Sequence, residues 1–285
     1  MRKVLSLVSL ALLCTQGILW AQLPAPNASG VAMGHIHYRV PDVEATKKFW
    51  IALGGKRAVW NNMEVLKFPG FLVRFSKADT AEGTDGSVVS HVGMRVPNVA
   101  KAFAHMKAAG YRVEPNENGV TGDVFMPDGE KIELLEALSE NVKFTLDGGR
   151  KDFEAERNNR RQESPIELHH IHFYVPTDDV AKVKDWYVRL FSAVPGHRFR
   201  YESADLPGVE LDIRGVDNAL APIRGRRLDH IGFEVKNLAA FCKKLEASGV
   251  KFDRPYEMRA EGVATAFLTD PWGVYIELTE GLTNF

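Results

Sequence analysis

A chain of 285 residues with a formal net charge of −1, 45% hydrophobic and 26% charged, is long enough for about two domains and a sizeable core. That balance excludes a disordered chain and offers no basic surplus for nucleic acid. Its two cysteines exclude a disulfide framework.

In chain order, Arg2 and Lys3 precede an apolar run of ten residues from Val4 to Leu13, and a cleavage point follows Ala21. This predicts a signal peptide over residues 1–21 and a secreted or periplasmic protein with no membrane contact after cleavage. The remaining thiol, Cys242, sits on an apolar helical face and is expected to be buried and inert.

Beyond the leader the chain repeats. His35-Ile-His-Tyr-Arg-Val-Pro matches His170-Ile-His-Phe-Tyr-Val-Pro. His91-Val-Gly-Met-Arg-Val-Pro-Asn matches His230-Ile-Gly-Phe-Glu-Val-Lys-Asn. Each segment opens with alternating apolar residues, as in Ile36, Tyr38 and Val40, which predicts a strand. Turns follow at Pro41-Asp42, Pro97-Asn98, Pro176-Thr177 and Lys236-Asn237. Helices come next: Val99, Ala102, Phe103 and Met106 have helical spacing, as do Leu238, Phe241, Cys242 and Leu245. Gly110 and Gly249 stand where C-terminal caps belong. Two or three short strands close each unit, with hairpin turns at Pro127-Asp128-Gly129 and Asp270-Pro271-Trp272-Gly273. The predicted fold class is α+β, with four βαβββ modules. Residues 139–167, where Arg157, Arg160 and Arg161 interleave with Glu154, Glu156 and Glu163, are expected to be a solvated linker between residues 33–138 and 168–281.

The repeat carries His…His…Glu twice. The copies are His35, His91, Glu133 and His170, His230, Glu277, with spacings of 56 and 42, then 60 and 47 residues. Two imidazoles and a carboxylate suit Fe(II), Mn(II), Zn(II) or Ni(II) and leave positions open for a substrate. His37 and His172 fall on the same strand face as the ligand candidates, as partners or proton-transfer groups. His169 is expected to point away from His170, and His105 and His197 to lie at the surface. Tyr201, Tyr275, Trp272, Phe199 and Phe173 are candidates for an apolar pocket, or simply for core.

These motifs resemble the vicinal oxygen chelate superfamily, which includes glyoxalase I, extradiol dioxygenases and bleomycin-resistance proteins. The resemblance implies two cupped-sheet domains, residues 33–138 and 168–281, and a divalent metal ion held by His35, His91 and Glu133 in one half and His170, His230 and Glu277 in the other. It also implies a fourth ligand from another strand. Aligning Gly70-Phe-Leu-Val-Arg74 with Gly208-Val-Glu-Leu-Asp212 puts Arg74 at that position in the first half and Asp212, with Glu210 as the alternative, in the second. A carboxylate attracts an ion and a guanidinium repels it, so the second half is expected to hold the main site. Arg74 is expected either to pair with Glu133 or to hold an anionic substrate. The implied activity is exported, metal-dependent lyase or isomerase chemistry on a small molecule, with Glu277 and His172 as catalytic residues, by a monomer or homodimer. Extradiol cleavage is the alternative, but Phe267 stands where that signature carries Tyr, and no His lies between His230 and Glu277. Non-catalytic binding, as in bleomycin-resistance proteins, is the other alternative.

Overall fold

Among the described residues, three of the four α-helices start on the side chain of an Asp or Asn. Asp42 Oδ1 accepts from the Ala45 N–H at 2.9 Å, Asn98 Oδ1 from Lys101 at 2.8 Å and Asn237 Oδ1 from Ala240 at 3.3 Å. Each satisfies an N–H that the first helical turn leaves without a partner. In the computed structural model, which describes residues 23–79, 81–149, 162, 164–259 and 262–282, these caps fall at the turns the sequence marks. The leader expected over residues 1–21 lies outside the described residues.

The first module is β1 (Val31–Val40), α1 (Val43–Ala52), β2 (Lys56–Trp60), β3 (Met63–Phe68) and β4 (Phe71–Lys77). The second is β5 (Val89–Val96), α2 (Val99–Ala108), β6 (Val113–Pro115), β7 (Thr121–Phe125) and β8 (Lys131–Glu136). A short β9 (Phe144–Leu146) follows. The third module is β10 (Glu167–Pro176), α3 (Val180–Phe191), β11 (Val194–Arg198), β12 (Tyr201–Leu206) and β13 (Val209–Val216). The fourth is β14 (Leu228–Val235), α4 (Leu238–Ala247), β15 (Phe252–Met258), β16 (Ala264–Thr269) and β17 (Tyr275–Glu280). The α+β class and the fourfold βαβββ order are therefore as expected. Within the expected linker Phe144–Leu146 pairs with β11 as an edge strand, while its charged cluster, Glu154, Glu156, Arg157, Arg160, Arg161 and Glu163, lies outside the described residues.

The modules pair crosswise. One sheet runs β15-β16-β17-β14-β1-β4-β3-β2, so it joins the first module to the fourth. The other runs β6-β7-β8-β5-β10-β13-β12-β11-β9 and joins the second to the third. The seams are antiparallel: β1 against β14, and β10 against β5. Each half of the sequence therefore contributes to both sheets.

Aromatic contacts at the helices tie the modules of one sheet to those of the other. Phe49 of α1 meets Tyr111, after α2, edge to face at 5.0 Å. Phe191 of α3 packs on Phe233 of β14 and Phe241 of α4 at 5.5 and 5.6 Å. The apolar helical stripes are buried as expected, including Val99, Phe103 and Met106 of α2 and Leu238, Phe241, Cys242 and Leu245 of α4. Burial pushes the Cys242 thiol up to about 11, which leaves it protonated and unreactive at neutral pH. Among the described residues no helix is long and apolar enough to cross a membrane.

Candidate metal centres

The cross-pairing regroups the six ligand candidates. In the first sheet His35 of β1 lies opposite Gly232 of β14, and Gly232 lies beside Glu277 of β17. His230 is two residues before Gly232 on the same face. The resulting set is His35, His230 and Glu277. In the second sheet His170 of β10 lies opposite Gly93 of β5, and Gly93 lies beside Glu133 of β8, which gives His170, His91 and Glu133. The grouping by sequence halves is thus corrected: each site takes one histidine from one half, and the other histidine with its glutamate from the other. The reason is that β1 pairs with β14 and not with β5.

The two glycines make this possible. A Cβ on Gly232 would stand 2.1 Å from the His35 ring, and one on Gly93 would stand 2.0 Å from the His170 ring. The His-x-Gly motif thus supplies one ligand and, two residues on, the space for its partner.

In the first site His35 Nε2 and His230 Nε2 each lie 2.9 Å from Glu277 Oε2 and 3.4 Å from one another. In the second, His91 Nε2 and His170 Nε2 lie 3.2 Å apart and each 3.3 Å from Glu133 Oε2. Three atoms bound cis to one ion at ~2.1 Å stand ~3.0 Å apart, so both sets have the spacing of a facial His/His/carboxylate site. His35, His170, His230 and Glu277 are also almost wholly buried.

Each site orients its histidines differently. His230 Nδ1 donates to Asp229 Oδ2 at 2.6 Å, which turns Nε2 to the centre. Burial favours neutral His230, but the Asp229 and Glu277 carboxylates outweigh it and raise the pKa. Burial pushes His35 down to about 4. Burial opposes charge on Glu277 too, but His35, His230 and Arg74 hold it well below the usual carboxylate range. In the second site His91 Nδ1 meets Ser90 Oγ at 3.0 Å. A β-bulge between Leu168 and His170 changes the alternation, and His169 is buried beside His170 rather than pointing away. His169 Nε2 lies 3.2 Å from the Val142 carbonyl, which only accepts, so Nε2 carries the proton. Burial keeps His169 neutral, so its Nδ1 accepts from His170 Nδ1–H at 2.9 Å and His170 Nε2 faces Glu133 with its lone pair.

Asp212 does not complete a site with His170, His230 and Glu277. It sits beside His172 on β13, its Oδ2 takes Arg198 Nε at 2.6 Å and Nη2 at 2.5 Å, and its Oδ1 takes Ser203 at 2.6 Å. It approaches His170 Nδ1 only at 3.9 Å, on the side away from Nε2. Glu210, the alternative, is fully buried against His169 at 3.7 Å. Arg74 does not pair with Glu133 but with Glu277, Nη1 to Oε2, at 3.0 Å, because β4 lies in the other sheet. His172, expected to act beside Glu277, lies in the second site, in a group with His91 and His170. Its counterpart His37 is in the first site, its ring 4.6 Å from that of His230. Burial holds both His37 and His172 well below the ordinary histidine value.

Each site opens into a cavity. The first, about 350 Å³, is lined by His37, Trp60, Arg74, His230, Phe267, Tyr275 and Glu277, with Arg254 and Arg259 also on its wall. The second, about 230 Å³, is lined by Asn116, Asn118, Thr121, Tyr201 and Phe199 around His91, Glu133 and His172. Of the aromatic candidates, Phe173 is core and Trp272 is half-buried, donating Nε1–H to Asp179. His105 and His197 are exposed.

Asp229, Ser90, Arg198 and the two glycines were missed from the sequence. The glycines left a signal, His-x-Gly in two modules. Asp229 left only its position before His230.

This architecture is a known one. A family model described as the Glyoxalase/Bleomycin resistance protein/Dioxygenase superfamily matches residues 32–134 and 167–278. The chain belongs to that superfamily. Its fold is similar to that of glyoxalase I from Zea mays, with a TM-score of 0.63 at 17% identity over 89% of this chain and 94% of that one. It is also similar to a putative dioxygenase from Bacillus subtilis, with a TM-score of 0.59 at 14% identity over 91% and 86% of the two chains. A 59-residue stretch, 21% of this chain, is 36% identical to lactoylglutathione lyase from Pseudomonas aeruginosa and spans 32%, about a third, of that relative's length.

Proposed function

We propose that the protein is a divalent-metal-dependent enzyme that moves a proton on a small oxygen-bearing organic substrate, in lyase or isomerase chemistry like that of glyoxalase, and that the first site carries the reaction. The observation behind this is the convergence of His35 Nε2, His230 Nε2 and Glu277 Oε2, within 3.4 Å of one another, at the wall of a 350 Å³ cavity. These three residues would hold the ion, which supplies Lewis acidity to a carbonyl or enediolate oxygen. Asp229 fixes the His230 ring. Glu277 is ligand and proton acceptor in one; its contacts to both histidines and Arg74 fall on Oε2. His37, held neutral by burial, stands at the cavity wall with Nε2 3.0 Å from Ser76 Oγ.

Ring cleavage has less support. Phe267 pairs in register with Glu277 and stacks on Tyr275 at 5.5 Å, with no hydroxyl to give. Passive binding has less support too, since both ligand sets are complete. The charged-then-apolar start supports export with cleavage after Ala21, tested by N-terminal sequencing of the protein from its producing cell.

The test of the reaction is solvent deuterium exchange, followed by NMR, into small 2-hydroxy and 2-oxo carbonyl compounds. Exchange by the reconstituted protein that disappears in Glu277→Ala is expected. No exchange under any of Fe(II), Mn(II), Zn(II) and Ni(II) contradicts the reading.

A further inference from the structure

The two sites differ most at one position. Arg74 of β4 stands beside His37, where Asp212 of β13 stands beside His172. Arg74 Nη1 lies 3.0 Å from Glu277 Oε2 and 3.4 Å from His35 Nε2, so a permanent cation touches two of the three ligand atoms. In the second site Arg198, which also lines the cavity, is committed to Asp212 and to the Asn141 carbonyl, each at 2.6 Å. An ion entering the first site must therefore share Glu277 with a guanidinium, at a separation where like charges repel strongly in a buried setting.

The rest of Arg74 is lightly held. Its side chain is 15% exposed, its guanidinium lies 5.3 Å from the centre of the Trp60 ring, and Nη2 is 4.0 Å from Met63 Sδ. It lines the cavity together with Arg254 and Arg259. A carboxylate offers a guanidinium a two-toothed partner as good as Glu277, without the cost of displacing an ion.

We propose that Arg74 couples the ion to the substrate: the substrate is a small organic anion carrying a carbonyl or hydroxyl oxygen, and its carboxylate draws Arg74 off Glu277. The inference rests on the first site being the metal site proposed above. Anion and ion then bind the first site cooperatively, while the second site takes its ion without regard to the anion.

Mn(II) titrations followed by the electron paramagnetic resonance of the free ion test this, with pyruvate as the anion because it holds Mn(II) only weakly in water. Binding lost in His230→Ala belongs to the first site. In the unsubstituted protein pyruvate is expected to tighten that binding by about 10-fold. Arg74→Ala and Arg74→Gln are expected to bind Mn(II) that tightly without pyruvate and to respond little to it, with binding dependent on His91 unchanged as the check on folding. Unaltered Mn(II) affinity and an unaltered pyruvate response in both variants overturn the coupling. Absence of His230-dependent binding in all of these proteins overturns the proposed metal site itself, and the coupling with it.

Discussion

A methyl group on Gly232 would stand 2.1 Å from the His35 ring, a contact the fully buried histidine cannot relieve without moving its strand. Gly232→Ala is therefore expected to destabilise the protein by about 1–3 kcal/mol, as overpacking of a core does, and to cost the first site its ion while the second keeps its own. Calorimetry together with metal analysis checks both effects. Asp229→Asn keeps the shape but loses the carboxylate on His230, and first-site affinity is expected to fall about 10- to 100-fold in a metal titration. At this scale the sequence was partly legible. The ligands announce themselves because the residue types recur at matching strand positions. Gly93 and Gly232 do not, because their purpose lies on a partner strand. His169 does not either, because strict alternation turns it outward and only the bulge beside His170 turns it in.

At the scale of elements, strand and helix order follows from local periodicity and from the caps at Asp42, Asn98 and Asn237. Pairing does not. His91-Val-Gly-Met and His230-Ile-Gly-Phe present the same alternation, so the sequence offers β1 two equivalent neighbours along its edge, β5 and β14. Helix packing between the two sheets accompanies the choice: Phe191 of α3 meets Phe233 of β14 and Phe241 of α4. Removing that fully buried ring in Phe191→Ala is expected to cost about 3–5 kcal/mol, seen as a lower denaturant midpoint. The edge strand β9 was hidden for another reason: Phe144 and Leu146 are only two apolar positions in a polar stretch, too few to register as a strand.

Across the whole molecule, both sites store buried imidazoles that resist protonation. Burial lowers the pKa of His35 to about 4 and also lowers those of His37, His169, His170 and His172, with only His230 raised among these. A folded-state pKa below the unfolded value means that the unfolded chain binds more protons, so stability is lost as pH drops. The loss begins near 6.5 and, for His35, is complete below about 4; that residue alone accounts for about 3 kcal/mol. Glu133 and Glu277, held well below 4.5, add their own loss at lower pH. Metal-free protein is expected to show a steep fall in its urea midpoint between pH 7 and pH 4; a flat profile would contradict this electrostatic picture.

The central claim is that each site is built from strands of both halves, so that His35 belongs with His230 and not with His91. Metal content per chain, measured after reconstitution and removal of free ion, tests it through two double variants. His35→Ala/His230→Ala damages one site twice and is expected to retain the ion held by His91, His170 and Glu133. His35→Ala/His91→Ala damages both sites and is expected to retain none. An ion retained by the second variant and lost from the first would contradict the crossed assignment.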